Sequence, residues 1–189
     1  MPPQPLTPDA AARVLRAGGV IAYPTEAVWG LGCDPFNPEA LRRLLEIKQR
    51  PASKGMIVIA AAPEQAWPHL RWHELPEDRR AAILASWPGP NTWLIPCAAT
   101  VPTWLRGEHD TLAVRVTDHP VAAALCNAFD GLVVSTSANR ANAEPARHID
   151  ELEPELLMQL DGWVAGETAG LANPSTIRDA RTGEVVRGG

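Results

Sequence analysis

Met56-Ile57-Val58-Ile59-Ala60-Ala61 is an unbroken apolar run. A strand with one wet face alternates polar and apolar side chains. A continuous aliphatic run fits a strand covered on both faces. Helices must then lie on either side, and the flanking sequence supplies them. Asn37-Pro38-Glu39 reads as the cap and first turn of a helix in which Leu41, Leu44, Leu45 and Lys48 recur at helical spacing. Pro51 ends it, because the residue before a proline is biased out of the helical region.

Further upstream, Thr7-Pro8-Asp9 caps another helix, stopped by Gly18-Gly19. Val20 to Tyr23 and Val28 to Cys33 read as strands broken by Pro24-Thr25-Glu26, with Gly30 and Gly32 permitting close backbone approach. Downstream, residues 63–87 read as helical in two pieces broken near Pro76. Trp87-Pro88-Gly89-Pro90 reads as a rigid turn. Strands are expected at 93–95, 112–116, 132–135, 162–164, near 175–177 and at 185–186, with helices at 120–129 and about 149–160. The alternation predicts an α/β class in which one sheet is packed by helices. The polar segment 98–110 is the expected mobile loop.

Bulk properties bound the function. The 189 residues suit one domain. With 46% hydrophobic and 21% charged residues the chain is an ordinary globular sequence. Its net charge of -5 excludes a polycation, so any nucleic-acid contact needs a local basic patch. Cys33, Cys97 and Cys126 are widely spaced and read as reduced core thiols of a cytoplasmic protein. The N-terminus has neither the basic nor the apolar region of a signal peptide, and no run reaches membrane-span length. The 7 Trp residues share no period, and packing is their default role.

Several polar clusters follow these elements. Lys48 and Arg50 stand at a helix end, where they suit either a bound anion or the helix dipole. Ser135-Thr136-Ser137-Ala138-Asn139 follows an apolar strand, at the position where open α/β sheets bind ligands, although the same residues also suit a cap or turn. Thr25 ends a strand, in a context that a β-turn also explains. Arg115 sits among apolar residues in Ala113-Val114-Arg115-Val116 and needs a partner, which favours a cleft over an edge. Asn173-Pro174-Ser175-Thr176 adds late hydroxyls, and Arg187 lies near the end. No GxxxxGK[ST], GxGxxG or GxSxG pattern occurs, and the His residues lack metal-ligand spacing.

Taken as a set, Tyr23 to Asp34, Lys48-Gln49-Arg50-Pro51, Trp87 to Pro90, Leu112 to Val116, Ser135 to Asn139 and Asn173 to Ile177 resemble the YrdC/TsaC family of L-threonylcarbamoyladenylate synthases, in the family's order and over nearly the whole chain. The Lys-x-Arg and Ser-x-Asn signature is matched by Lys48, Arg50, Ser137 and Asn139. The resemblance implies a short single-domain form over 1–189, with a twisted mixed parallel and antiparallel sheet and a concave, positively charged groove. It implies synthesis of threonylcarbamoyl-AMP and pyrophosphate from L-threonine, bicarbonate and ATP for tRNA modification. Mg2+ would be held mainly by the ATP phosphates, with no dedicated protein metal site. Downstream partners would be of the TsaD, TsaB and TsaE type, with tRNA or other RNA contact also possible, and the chain would act as a monomer. By the same resemblance Thr25, Arg115, Ser135 and Ser175 hold threonine. Lys48, Arg50, Thr111, Ser137, Asn139 and Arg187 hold ATP, and Lys48, Arg50, Ser137 and Asn139 act in catalysis. Segment 98–110 would be a lid. Three positions depart from the family: Ala141-Asn142 replaces a common Ser-Gly, and Asn91 replaces an apolar residue. Two rival readings stand beside it, an RNA-binding or ribosome-maturation module that uses the same groove without turnover, and a carbamoyl-transfer domain of the hydrogenase-maturation type.

Overall fold

The computed structural model describes residues 3–140 and 143–188. In chain order the elements are β1 Pro5–Leu6, α1 Pro8–Arg16, β2 Ile21–Pro24, β3 Trp29–Gly32, α2 Pro38–Lys48, β4 Ile57–Ala60, α3 Glu77–Ala85, β5 Asn91–Pro96, α4 Thr103–Arg106, β6 Thr111–Val116, α5 Pro120–Phe129, β7 Val133–Val134, β8 Thr136–Ser137, α6 Pro154–Leu157, β9 Gly162–Val164, β10 Thr176–Asp179 and β11 Val185–Arg187. Both expected caps form: Thr7 accepts from the Ala10 amide, and Asn37 accepts from Glu39 and Ala40.

The strands form two mixed sheets rather than the single sheet expected. One has the order β1-β9-β2-β3-β8 and the other β11-β10-β5-β6-β4-β7. The split happens inside one apolar-to-polar run. Val133 and Val134 pair antiparallel with Ile59 and Val58 in the second sheet. Two residues on, Thr136 and Ser137 pair with Leu31 and Gly30 in the first. Ser135 sits at the crossing, where its amide still bonds to the Ile57 carbonyl at 2.8 Å.

The run 56–61 is covered on both faces, as its composition requires. Val58 and Ala60 join the main core with Trp29, Leu41, Leu44, Ile95, Leu112 and Val114. Ile59, pointing the other way, joins a second cluster with Leu15, Ile21, Tyr23, Leu125 and Val133, where α1 meets α5. Tyr23 ties the two sheets together: its hydroxyl donates to the Val134 carbonyl at 2.9 Å. Its ring lies over the backbone of β3, so a Cβ at Gly32 would stand 2.7 Å from both Tyr23 Cε1 and the Val134 oxygen.

Three local expectations are corrected. Residues 63–74 form three short 3-10 turns, because Pro63 and Pro68 interrupt any longer helix, and Leu70 bridges to Cys97 instead. Residues 149–160 likewise divide into a 3-10 turn and α6 at Pro154. Segment 98–110 is anchored rather than loose: it carries α4 and buries Val101 and Leu105, and the Leu105 carbonyl accepts from Met56. Of the tryptophans, Trp29, Trp72, Trp87 and Trp93 are buried, whereas Trp67 and Trp104 are exposed. All three cysteines are free and buried. Asn91, the polar departure in β5, donates to the Ser86 carbonyl and so finds a structural partner. Ala141 and Asn142 lie outside the described residues. Among the described residues no helix is long and apolar enough to cross a membrane.

Candidate functional site

The sheet crossing opens a cavity of about 510 Å³. That is within the ordinary range for a small-molecule site. Its wall takes Thr25 and Glu26 from the end of β2, Arg50 from beyond α2, Arg115 from β6, Ser135 and Ser137 from the crossing, Ser175 from the approach to β10, and Arg187 from β11. A smaller cavity of about 250 Å³ shares Arg50, Met56, Ile57 and Arg187 with it and adds Thr111, Lys54 and Arg106.

Seven of the ten residues expected from sequence therefore line one cavity: Thr25, Arg50, Arg115, Ser135, Ser137, Ser175 and Arg187. Thr111 lies in the adjoining one. Lys48 and Asn139 are absent from both linings and stand behind the wall. Lys48 Nζ donates to the Ser137 carbonyl at 2.5 Å and the Asn139 carbonyl at 2.8 Å. Asn139 Nδ2 donates to the Ala143 carbonyl at 2.6 Å. The two halves of the signature thus meet, with the lysine bracing the strand that presents Ser137. Gln49 adopts the left-handed conformation (φ 53°) as the cap of α2. That turn separates Lys48, pointing at β8, from Arg50, pointing at the cavities.

The hydroxyls are already oriented. Thr25 Oγ1 donates to the Val28 carbonyl at 2.6 Å, and Ser175 Oγ shares a 2.8 Å hydrogen bond with Thr92 Oγ1. The cations are less well satisfied. Arg50 Nη2 donates to the Gly55 carbonyl at 3.1 Å, but its buried Nε has no partner among the described residues, and neither has that of Arg115. Burial, and then the neighbouring Arg187, push the Arg50 guanidinium below its usual value. Burial and then Arg115 do the same to Arg187. Arg187 thus acts on Arg50 and is itself acted on by Arg115 around one space. Burial and the charge of Arg50 bring Lys48 down to about 8.

Glu26 and Arg147 are among the wall residues that escaped the sequence reading. Glu26 is buried against Arg115, at 3.4 Å, and accepts from Thr117 Oγ1 at 2.7 Å. Its signal was available: a mid-strand arginine requires a counter-charge, and Glu26 follows Thr25 directly. Arg147 donates to the carbonyls of Leu171 (3.0 Å) and Ala172 (2.7 Å), fastening the segment before Ser175 across the cavity. Nothing in its local sequence marks it.

A family pattern covering Sua5, YciO and YrdC, described as telomere recombination, matches residues 13–189. A threonylcarbamoyl-AMP synthase of Stenotrophomonas maltophilia (strain K279a) is 54% identical over 182 residues, covering 96% of this chain and 98% of that protein. Another, from Xanthomonas campestris pv. campestris (strain B100), is 53% identical over 185 residues, covering 97% and 99%. The crystal structure of P. abyssi Sua5 complexed with L-threonine superposes with a TM-score of 0.84 at 29% identity, covering 91% of this chain and 50% of that one. This chain therefore spans about half the length of Sua5.

Proposed function

Because the chain belongs to the Sua5/YciO/YrdC family, we propose that it is a threonylcarbamoyl-AMP synthase, making this product and pyrophosphate from L-threonine, bicarbonate and ATP for tRNA modification. One observation carries the reading from the chain's own residues. Arg50, Arg115 and Arg187 converge on a single cavity beside hydroxyls, and among the described residues only Arg115 has a carboxylate partner there. Guanidiniums gathered beside hydroxyls in one cavity suit an anion.

In this reading Arg115 pairs the threonine carboxylate, with Thr25, Ser135 and Ser175 around the amino acid. Arg50, Arg187, Thr111 and Ser137 hold the triphosphate across the two adjoining cavities, with Lys48 and Asn139 keeping Ser137 in place. Lining charges of Arg50, Arg115, Arg147 and Arg187 against Glu26 and Glu144 support a positive groove. Threonine's amine takes up carbon dioxide as a carbamate, whose oxygen attacks the α-phosphorus in line as pyrophosphate leaves, which makes the enzyme a nucleotidyltransferase. Such chemistry needs positioning and charge stabilisation rather than a protein nucleophile. Mg2+ would accompany the phosphates and neutralise charge developing on them. Glu144 is the wall carboxylate not engaged by Arg115 that could bind it or its waters. The chain would act in the cytoplasm as a single-domain monomer, handing its product to TsaD-, TsaB- and TsaE-type proteins.

The test is pyrophosphate release with threonine and bicarbonate each omitted. Release that depends on both supports the reading. Release indifferent to threonine, or absent while RNA binds tightly with steep salt dependence, overturns it.

A further inference from the structure

The Arg115–Glu26 pair is used only in half by the reading above, which gives the arginine a task and the glutamate none. Both side chains are buried, at 9% and 5% exposure. A buried ion pair repays its desolvation only when its geometry is good and the remaining donors are satisfied. Here neither holds for the arginine. Its Nη2 stands 3.4 Å from Glu26 Oε2 and 3.5 Å from Ser135 Oγ, and its Nε has no partner among the described residues.

Glu26, in contrast, is firmly held. Thr117 Oγ1 donates to its Oε1 at 2.7 Å, and the same Thr117 oxygen accepts from the His119 amide at 3.2 Å. The Glu26 backbone carbonyl accepts from Leu171 at 3.0 Å. A fixed carboxylate and an under-bonded guanidinium thus stand side by side in one cavity wall. An α-amino acid carries its ammonium and carboxylate on one carbon, so paired charges of opposite sign match both ends of the zwitterion. The geometry points to Glu26 as the residue that binds the substrate's ammonium while Arg115 binds its carboxylate. This makes Glu26 a specificity-determining residue for free α-amino acids, and the inference rests on the threonine reading above.

The rival role for Glu26 is a strut that merely orients Arg115. Calorimetric titration separates the two with L-threonine and 3-hydroxybutyrate, which is the threonine skeleton with hydrogen in place of the amine. The wild-type chain should bind threonine roughly tenfold or more tighter, the worth of one charge-assisted contact. In Glu26→Gln, threonine affinity should fall roughly tenfold, while 3-hydroxybutyrate affinity holds or rises because Arg115 has lost a competing carboxylate. Equal loss for both ligands, or no loss for either, overturns the inference. The wild-type comparison needs no variant: equal affinity for the two ligands overturns the inference while leaving threonine a ligand. Failure of the wild-type chain to bind threonine at all is a different result, and it removes the functional reading itself.

Discussion

Lys48 is the residue on which the braced strand depends, and Lys48→Met keeps its length while removing the ammonium. Two charge-assisted hydrogen bonds to the Ser137 and Asn139 carbonyls are lost. Each contributes about 1.5–3 kcal/mol. Against this, burial holds the Lys48 pKa at about 8 instead of 10.5, so keeping the charge inside costs about 3 kcal/mol at neutral pH. The balance predicts a fall in stability of about 0–3 kcal/mol near pH 7, measured by urea unfolding. The pH dependence has a definite sign. The folded pKa lies below the unfolded one, so between about pH 8 and 10.4 the unfolded chain binds more protons, and this group stabilises progressively as pH rises. The stability gap between wild type and Lys48→Met should therefore widen over that window, by up to about 1.4 kcal/mol per pH unit. Turnover should fall more than about tenfold in the variant, because Ser137 is no longer held at the cavity. In the wild type, turnover should decline as pH rises through 8, a limb the variant lacks. A folded Lys48→Met chain with undiminished pyrophosphate release, or a stability gap that stays flat from pH 7.5 to 9.5, refutes the bracing argument.

Three further outcomes are expected. Gly32→Ala forces a methyl to 2.7 Å from Tyr23 Cε1 and the Val134 oxygen, and should lower stability by about 1–3 kcal/mol; an unchanged urea midpoint would show that β2, β3 and β7 are not so closely packed. Burial raises the thiols of Cys33 and Cys126, the latter to about 12, so their stabilising contribution is complete below about pH 8.5 and declines by about 1.4 kcal/mol per pH unit per thiol above it. Cys126→Ala should flatten the alkaline stability slope by that amount, and parallel slopes for wild type and variant would contradict the burial. Arg187→Ala should raise the KM for ATP about tenfold or more while moving the KM for threonine little, since Arg187 borders both cavities; the opposite pattern would exchange the two subsites.

Local chemistry made much of the fold legible. Thr7 and Asn37 cap the helices they were expected to cap, and the aliphatic run at 56–61 became a strand with a core on each side, because capping and burial are decided within a few residues. The two-sheet split was not legible, because its cause is long-range. Nothing in Val133-Val134-Ser135-Thr136-Ser137 says that its halves pair with β4 and β3 respectively. The proline-rich stretch 63–76 carried helical composition but could not sustain the hydrogen-bond ladder. In the site, residues within recognisable clusters were found, whereas Arg147 was missed because its partners, the carbonyls of Leu171 and Ala172, are more than twenty residues away.

The sheet crossing explains why these distant residues act together. At Ser135 the chain leaves one sheet for the other, and the gap between them is the cavity. Elements from both sheets must border it, so the turn after β2 together with β6, β8 and β11 presents polar side chains to the same space. Arg115 faces it because β6 alternates: Val114 and Val116 enter the main core, which leaves Arg115 on the opposite side, in register with Ile59. The resulting crowd of guanidiniums is unfavourable by itself, since Arg50 and Arg187 lose solvation and each feels a neighbouring guanidinium. A structure selected only for stability would replace such charges with aliphatic residues. Their retention beside oriented hydroxyls is intelligible if an anionic substrate supplies the missing charge. The interactions it makes would then be strongest where the cavity wall is least satisfied, at Arg50 and Arg115.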